Sequence, residues 1–351
     1  MYSKVLTVEE QKFNPDEYGM PGFEYRHIRG PLARSNLVGS IDSFYFGDYS
    51  NPDAILSNYC LRRRPQVVLM TVQFLKKPGN LPSVGTVQCI RDLGIPVVLF
   101  WFDIHADVIG DLLERYCHAA TLNVLFGSSP NSHKASSLQK TNYVYAGLTF
   151  EEPQFNLPNR NRDVPVSFLG SLFPERVAYI EGLRSRGISV YTDGGILVNG
   201  VRSKVMTDRV TPIWKPYSVY LELLSRTQIT LNFTSLPTSK IQVRGRVWEA
   251  LWCKTFLLEE DNPVTPLYFA PNEDYVPFTD LDDLVDKVKY YIAHDSERDR
   301  IRLHGRATVE KYYNARLFWG NLLSTVEALV RGAKCSGELW NIQYYKDHGV
   351  V

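Results

Sequence analysis

Short apolar runs alternate with amphipathic stretches along most of the chain. In the first half, the runs at Val67–Val72, Pro96–Phe102 and Leu122–Phe126 are nearly continuous, which is typical of parallel strands buried on both faces. Ala54–Leu61 and Val84–Leu93 have the apolar spacing of helices. Strands that alternate with helices predict a parallel sheet covered by helices on both faces.

Less regular segments flank this pattern. Lys4–Val8, Ser40–Phe46 and Tyr143–Ala146 are predicted as further strands of the first half. Phe13–Arg34 is rich in Gly, Pro, Tyr and charge, so we predict a long functional loop there. The tail from Arg331 has weak periodicity, and its aromatic residues are expected to pack on another part of the chain.

A second alternating series follows the polar segment Glu151–Val164, whose two prolines favour a linker. Its predicted strands are Pro165–Leu169, Ser189–Tyr191, Gln228–Phe233 and Thr255–Leu258, and its predicted helices include Val219–Leu224, Leu281–Ala293, Glu297–Tyr312 and Ala315–Val330. We therefore predict a Rossmann-like N-terminal domain (1–152), a linker (153–164), a Rossmann-like C-terminal domain (165–320) and a tail (321–351) that packs back on the N-terminal domain.

Composition excludes several classes of protein. The 351 residues are 44% hydrophobic and 22% charged, as in globular proteins, and the formal net charge of +1 gives no general attraction to nucleic acid or membrane surfaces. The five cysteines are scattered without CxxC spacing, so neither a disulfide framework nor a zinc site is indicated. With no apolar leader and no run of about 18 apolar residues, we expect a soluble cytoplasmic protein without a membrane span.

Two candidate groups lie at the predicted carboxyl end of the strand Pro96–Phe102. Asp103 and His105 follow that strand directly, and ligands of parallel α/β sheets bind at such strand ends. A lone Asp or His is more often structural, so the two readings, catalytic and structural, stay open. The basic residues of the predicted loop suit an acceptor, a phosphate or solvent: Arg26, His27, Arg29 and Arg34. Together with Arg62–Arg64 at the next helix end, they would make a local basic face if the acceptor is a nucleic acid.

The segment Ile241–Pro263 combines three features of a binding site. Arg244 and Arg246 begin a predicted helix, whose N-terminus attracts anions. Glu249 lies in the apolar part of that helix, where a carboxylate needs hydroxyl partners from a ligand or an arginine from the protein. An acidic loop follows the next strand.

A second anion-binding feature precedes it. Gly170 and Ser171 form a turn after a strand, and Arg176 lies in the first turn of the helix that Pro174 begins. A cation at that place opposes the helix dipole, which favours a bound anion or a solvated side chain. Neither GxGxxG after a first strand nor GxxxxGK[ST] occurs, so a dehydrogenase or P-loop hydrolase is not indicated.

The second half contains an ordered set of motifs. They are VSFLGSLFPERVAYIEGLRSRGISVYTDGG at Val166–Gly195, LNF at Leu231–Phe233, RGRVWEALWCKTFLLEEDNP at Arg244–Pro263, YFAPNEDYVPFTDLDDLVDKV at Tyr268–Val288 and HGRATVEKYYNARLFW at His304–Trp319. This set resembles the C-terminal domain of group-one glycosyltransferases, most closely the CgeB-like spore-maturation-protein branch. The first half is similar only through VVLFWFDIH at Val97–His105.

The resemblance implies the GT-B architecture, an α/β fold with two Rossmann-like domains whose parallel sheets face each other across a cleft. It implies that a nucleotide-diphosphate sugar binds the C-terminal domain as co-substrate and an acceptor binds the N-terminal one. It also implies transfer with retention, no metal and no cofactor. By position, Glu249 matches the glutamate that binds the ribose, Gly170 and Ser171 the phosphate-side turn, and Arg176 and Arg244 basic positions near the diphosphate.

One departure concerns the donor sugar. The wider group has a second glutamate seven residues before the ribose one, where this chain has Ile241 beside Lys240. We predict that Lys240, Arg246, Glu259 and Asn262 complete the donor site, and that Asp103 and His105 orient or deprotonate the acceptor hydroxyl. The acceptor itself (sugar, protein, small molecule or nucleic acid) stays open. Two alternatives are a non-catalytic nucleotide-sugar binder and a transferase acting on a modified nucleic-acid base.

Overall fold

The computed structural model of the chain describes residues 2–10, 25–72, 80–102, 104, 107–130, 137–157, 161–170, 172–192, 196–198, 201–203, 216–234 and 241–349. These residues form two compact units. Unit 1 contains the described residues up to 151 and those from 312 onward, and unit 2 contains residues 152–311. The sequence-based prediction had instead assigned residues up to 320 to the second domain.

Unit 1 is built on a seven-stranded parallel sheet. Its strands are β1 (Val5–Glu9), β2 (Ile41–Tyr45), β3 (Val67–Thr71), β4 (Val97–Trp101), β5 (Leu122–Phe126) and β6 (Tyr143–Ala146), joined by one strand from the C-terminal tail, β14 (Ser336–Trp340). The order across the sheet is β14-β6-β5-β4-β3-β1-β2, and each neighbouring pair is parallel. β1, β3, β4 and β5 are buried at every position, as continuous apolar runs predict.

Helices cover both faces of this sheet. They are α1 (Gly30–Ser35), α2 (Pro52–Arg63), α3 (Val84–Asp92), α4 (Asp107–Tyr116), α10 (Ala315–Val330) and α11 (Ile342–Asp347). One face packs against α2, α3 and α4 through an apolar core that includes Leu56, Ile90 and Leu112. On the other face, the Phe100 ring lies 5.9 Å from that of Trp319 in α10.

Two segments of unit 1 differ from the prediction. In the predicted loop, Tyr25–Arg29 forms one turn of π-helix that continues into α1, so a loop throughout Phe13–Arg34 is wrong for its last part. Residues 13–24 lie outside the described residues. The tail, for which no element was predicted, contributes β14 and α11, and Trp340 and Tyr345 are fully buried, as expected for the tail aromatics.

Unit 2 contains a five-stranded parallel sheet and a separate antiparallel pair. The sheet strands are β7 (Val164–Phe168), β8 (Tyr191–Thr192), β11 (Thr227–Asn232), β12 (Phe256–Glu260) and β13 (Val276–Phe278), and the pair is β9 (Ile196–Val198) with β10 (Val201–Ser203). The helices are α5 (Pro174–Ser185), α6 (Tyr217–Arg226), α7 (Gly245–Trp252), α8 (Leu281–Ala293) and α9 (Asp295–Tyr312). The sheet order is β13-β12-β11-β7-β8.

The local signals that begin the helices of unit 2 are the predicted ones. Pro174 is the first residue of α5. Asp280 caps α8 by accepting a hydrogen bond from the Asp283 N–H at 2.9 Å, so the sequence Asp280–Leu281–Asp282, which has the spacing of a metal-binding DxD motif, is the start of a helix. No helix among the described residues is long and apolar enough to cross a membrane.

Both parallel sheets have a topological switch point. In unit 1, β1 lies between β2 and β3, and in unit 2, β7 lies between β8 and β11. The chain therefore leaves the first strand of each unit toward one side and later returns on the other side. Ligands of open α/β sheets bind outside the carboxyl ends of the strands at such a point. We therefore expect binding residues at the carboxyl ends of β1 and β3 in unit 1 and of β7 and β11 in unit 2.

Candidate functional site

An arginine joins the carboxyl ends of β7 and β11. Arg246, in the first turn of α7, donates from Nε to the Leu169 carbonyl and from one terminal nitrogen to Asn232 Oδ1 at 2.5 Å. Its guanidinium carbon also lies 4.8 Å from the centre of the Phe168 ring. The guanidinium is thus fixed at the switch point of unit 2 by one contact from each strand end and by stacking on an aromatic face.

Position 170, next to this guanidinium, has room only for a glycine. Its φ of +151° is in a region that favours glycine, and a Cβ added there would lie 1.8 Å from an Arg246 terminal nitrogen. Any side chain at this position would displace Arg246. The structure thus explains the glycine by the arginine beside it, while the predicted role of Gly170 in a phosphate-side turn stays a prediction.

Arg176 is buried beside the same strand ends. It is 6% exposed, donates to the Phe233 carbonyl at 2.9 Å, and lies over the ring of Phe173 at 4.8 Å. Burial, and then the positive charges of Arg246 and Arg244, lower the pKa of Arg176 to about 9, so it stays a cation at neutral pH. Holding a cation in a buried position near two others is unfavourable unless an anion balances them.

The third arginine is the N-cap residue of α7. Arg244 has extended backbone angles, and its side chain has no acceptor atom with which to cap the helix. The N-terminus of α7 therefore presents backbone N–H groups together with Arg244 and Arg246, while Arg176 lies within electrostatic range. The three arginines that we predicted as donor-binding residues are brought together in unit 2.

Glu249 lies one turn further along α7 and is 6% exposed. Each of its carboxylate oxygens accepts a hydrogen bond of 2.8 Å from a tyrosine of α6, Oε1 from Tyr217 and Oε2 from Tyr220. A pair of phenols thus holds the carboxylate in place. Each oxygen can accept a further hydrogen bond, so ligand hydroxyls are compatible with both tyrosines.

Glu259 is the centre of a buried polar network at the end of β12. Asn232 Nδ2 donates to Oε2 at 2.7 Å, and the Thr234 hydroxyl donates to Oε1. Asn262 Nδ2 and Thr265 Oγ1 are each 3.4 Å from Oε1. Burial raises the pKa of Glu259 to about 7, against the opposite effect of Thr234, Asn232 and Arg246. Through Asn232, this carboxylate also orients Arg246.

Asn262 fixes the loop after β12. Its Oδ1 accepts from the N–H groups of Val264 and Thr265 at 3.0 and 2.8 Å, and its Nδ2 donates to the Glu260 carbonyl at 2.8 Å. This arrangement begins the short 3₁₀ turn Thr265–Leu267. In the structure, Glu259 and Asn262 organise the end of β12. Their predicted contact with a donor sugar stays a prediction.

Four predicted site residues lie outside the described residues: Asp103, His105, Ser171 and Lys240. For two of the segments that contain them, neighbouring residues are described. Phe102 and Ile104 are buried beyond the end of β4, and Gly170 directly precedes Ser171. The roles assigned to these four residues stay predictions.

The basic residues of unit 1 do not form one face. His27 is 1% exposed, and burial lowers its pKa to about 3, so it is neutral. Arg34 pairs with Glu151 at 3.1 Å. Arg62, Arg63 and Arg64 end α2 before β3 begins, whereas Arg29 bonds Tyr45 at the carboxyl end of β2. These positions lie at opposite ends of the sheet.

Sequence reasoning missed the neutral partners of the two glutamates. Tyr217 and Tyr220 are spaced i, i+3, so both side chains fall on one face of α6, but this spacing is also ordinary for an amphipathic helix. Asn232 is the last residue of β11 and Thr234 comes two residues later, and polar residues at a strand end were an available signal.

Comparison with known proteins gives a family match and a fold match. Residues 198–324 match a sequence family described as "Glycosyl transferase-like". A comparison with curated protein sequences gives no match.

Among solved structures, HepE from Anabaena in complex with UDP-glucose is similar at a TM-score of 0.61 and 11% identity, covering 92% of this chain and 99% of that one. The sucrose-phosphate synthase of Thermosynechococcus elongatus is similar at a TM-score of 0.58 and 12% identity over 93% and 99% of the two chains. AviGT4, a glycosyltransferase involved in avilamycin A biosynthesis, is similar at 0.57 and 13% over 95% and 100%.

These matches confirm a fold of two Rossmann-like α/β units and the resemblance to GT-B glycosyltransferases, while the cleft between the sheets and the CgeB-like branch stay predictions. The chain carries a glycosyl transferase-like sequence over residues 198–324 and has the two Rossmann-like units of the GT-B fold.

Proposed function

We propose that the chain is a glycosyltransferase that moves a sugar from a nucleotide-diphosphate sugar to an acceptor hydroxyl, with retention and without a metal ion. The observation that carries the proposal is the group formed by Arg176, Arg244 and Arg246 at the switch point of unit 2. Their charges and the N-terminus of α7 match a diphosphate, which carries charge on several oxygens and accepts hydrogen bonds on each.

The same group stabilises the departing nucleotide diphosphate. When the bond between the sugar and the diphosphate breaks, negative charge grows on the diphosphate oxygens. Arg246 is held before this happens by Leu169, Asn232 and Phe168, so it does not have to reorganise during the reaction. Gly170 leaves room for that guanidinium. Fixed arginines provide the positive charge that a metal ion would otherwise supply.

Glu249 binds the ribose hydroxyls of the nucleotide in this proposal. Its carboxylate is an acceptor of the required kind, and the two phenols hold it in one orientation. The structure of HepE was determined with UDP and with UDP-glucose, which makes uridine nucleotides the first donors to test. Lys240, Glu259 and Asn262 complete the donor site, and Asp103 and His105 orient or deprotonate the acceptor hydroxyl.

A non-catalytic nucleotide-sugar binder is the second candidate. The observation in its favour is Ile241, which stands where the wider family has a glutamate near the donor sugar. An acceptor in nucleic acid is less well supported, because the basic residues of unit 1 lie at opposite ends of its sheet.

Two measurements on the purified chain test the proposal. The first is a thermal-shift screen against UDP, GDP, ADP, CDP, dTDP and their common sugars, in which a ligand of the folded state raises the melting temperature. The second is the release of nucleotide from the best donor. A shift with slow release supports a transferase, and a shift with no release supports the binder. No shift with any nucleotide at millimolar concentration contradicts both.

A further inference from the structure

Glu9 is the last residue of β1 and lies at the switch point of unit 1. β1 pairs with β2 on one side and with β3 on the other, and Glu9 is in register with Tyr45, the last residue of β2. Glu9 is only 3% exposed. A buried carboxylate is unfavourable unless it has hydrogen-bond or ionic partners. Glu9 also lies at a strand end of the kind where α/β sheets bind ligands, so its partners indicate whether a ligand could bind there.

Among the described residues, partners are found for one of the two Glu9 oxygens. Oε1 accepts a hydrogen bond of 2.6 Å from the Thr7 hydroxyl, which is itself 2.9 Å from Ser43 Oγ. Within the part of the chain that the structure describes, no hydrogen bond or ion pair reaches Oε2. By contrast, Glu249 and Glu259 have partners on both oxygens. Burial raises the pKa of Glu9, against the opposite effects of the Thr7 hydrogen bond and the Arg29 charge.

A guanidinium and a phenol lie beside this carboxylate. Arg29, in the π-helical turn, donates from one nitrogen to the Tyr45 hydroxyl at 2.6 Å and to Ser43 Oγ at 3.3 Å. Since the Tyr45 oxygen accepts this bond, its own proton is directed elsewhere. The other terminal nitrogen of Arg29 makes no hydrogen bond to a described residue. Single π-helical turns are frequent at functional sites.

We propose that Glu9, Arg29 and Tyr45 form the acceptor subsite and that the acceptor is a saccharide bound through neighbouring hydroxyl groups. One hydroxyl donates to Glu9 Oε2, and an adjacent sugar oxygen accepts from Arg29 and Tyr45. A carboxylate beside a guanidinium suits a neutral diol, whereas an anion would be repelled by Glu9. This inference rests on the proposed function, since it names the class of acceptor for that transferase.

The test uses the full-length chain and a panel of methyl glycosides of glucose, galactose, mannose and rhamnose as probes. Saturation-transfer NMR measures their binding directly, without turnover. The variants are Glu9→Gln, which keeps the size of the side chain and removes its charge, and Tyr45→Phe, which removes one hydroxyl. Asp48→Asn is the matched control, because Asp48 is an exposed carboxylate three residues after Tyr45.

We expect at least one glycoside to bind the unaltered chain and Asp48→Asn equally. Glu9→Gln should weaken that binding about tenfold, since a hydrogen bond to a charged acceptor is lost, and Tyr45→Phe should weaken it less. Nucleotide-induced thermal shifts should stay unchanged in both variants, because the arginine group belongs to unit 2. That readout separates a lost acceptor site from misfolding.

Two results would overturn the subsite. One is glycoside binding of unaltered affinity in Glu9→Gln, or in Tyr45→Phe if the first variant does not fold. The other is the absence of binding by every glycoside to a chain that does bind nucleotide. If the chain binds a glycoside through Glu9 but binds no nucleotide, then the proposed transferase fails while the saccharide site stands.

Discussion

The two sheets share one strand order but differ in what lies at their switch points. Taken from the edge strand, β2-β1-β3-β4 in unit 1 corresponds to β8-β7-β11-β12 in unit 2. At the end of β7, Arg246 bridges two strands, with Arg176 and Arg244 within electrostatic range. At the end of β1, the carboxylate of Glu9 lies within electrostatic range of Arg29. The same backbone topology thus supports a cationic site in one unit and a mixed site in the other.

The difference extends to how completely the polar groups are bonded. Two buried carboxylates of unit 2, Glu249 and Glu259, are each held at both oxygens by protein donors. Such fixed groups favour a preorganised site, which a reaction that develops charge requires. Glu9 in unit 1 has one oxygen without a described partner, which is the pattern expected where the ligand completes the bonding. Under the proposed function, this difference in bonding corresponds to a donor site in unit 2 and an acceptor site in unit 1.

The largest effect should come from Arg246→Gln. This change removes the fixed charge at the switch point of unit 2, and loss of one preorganised donor to a developing anion typically lowers turnover about 10²–10³-fold. Donor turnover, measured as nucleotide release, and the nucleotide thermal shift should both fall.

The matched control for that change is Arg226→Gln. Arg226 also lies in unit 2, but it is exposed at the end of α6 and paired with Asp163. The Arg226→Gln variant should release nucleotide from the donor at close to the rate of the unaltered chain. Equal losses in the two variants would mean that the cationic group has no special role, and the contrast between the units would then be without function.

Much of the fold could be predicted from the sequence, for a physical reason. Buried parallel strands need continuous apolar runs, so β5 and β6 were predicted with both ends correct, as were the helices α8 and α10. β14 was missed because its sequence, SGELW, lacks such a run, and it lies at the edge of the sheet. Its pairing with β6 depends on residues almost two hundred positions apart, which local periodicity does not reveal.

The charged residues of the candidate site could largely be predicted from the sequence, whereas the hydrogen-bond partners of its carboxylates could not. The rule that helix N-termini bind anions identified Arg244 and Arg246, and the structure brings both to the strand ends. The phenols that hold Glu249 were missed, because their contact depends on how α6 packs against α7. Glu9 was missed as well, since a glutamate at the end of a strand is indistinguishable in sequence from a solvated one.

A smaller effect, on stability, is expected from Glu259→Gln. Burial raises the pKa of Glu259 from 4.5 to about 7, so the folded chain binds an extra proton between these values, and stability is lost as pH rises through this window. The variant lacks this loss. Relative to the unaltered chain, its free energy of unfolding should rise by about 2 kcal/mol between pH 5 and pH 7. Chemical denaturation at both pH values measures it.

Glu181→Gln serves as the control for the pH measurement, since that carboxylate is 61% exposed and pairs only with Arg184 on the same helix. A pH-independent difference between Glu259→Gln and the unaltered chain would show that Glu259 is ionised throughout. The network at the end of β12 would then be a charged one, and unit 2 would resemble unit 1 more closely.

Glu249→Gln should affect one part of the nucleotide. If the carboxylate binds the ribose, the variant should bind the best nucleotide about tenfold more weakly, because a hydrogen bond to a charged acceptor is lost. It should also discriminate less between that nucleotide and its 2′-deoxy and 3′-deoxy analogues. Calorimetric titration gives both quantities. A uniform loss of affinity for all three nucleotides would remove the ribose role and leave Glu249 as a structural partner of α6.

The smallest effect, from Tyr220→Phe, tests the comparison most directly. The Tyr220 hydroxyl donates to Glu249 Oε2, so the change removes this donor from that oxygen. Stability should fall by about 0.5–1.5 kcal/mol, since a buried acceptor loses its donor. A ribose hydroxyl can then supply the missing bond, so the thermal shift produced by the nucleotide should grow, and that of its deoxy analogue should not. If both shifts shrink instead, Tyr220 orients Glu249 for the ligand, and complete bonding of the carboxylate is what the donor site requires.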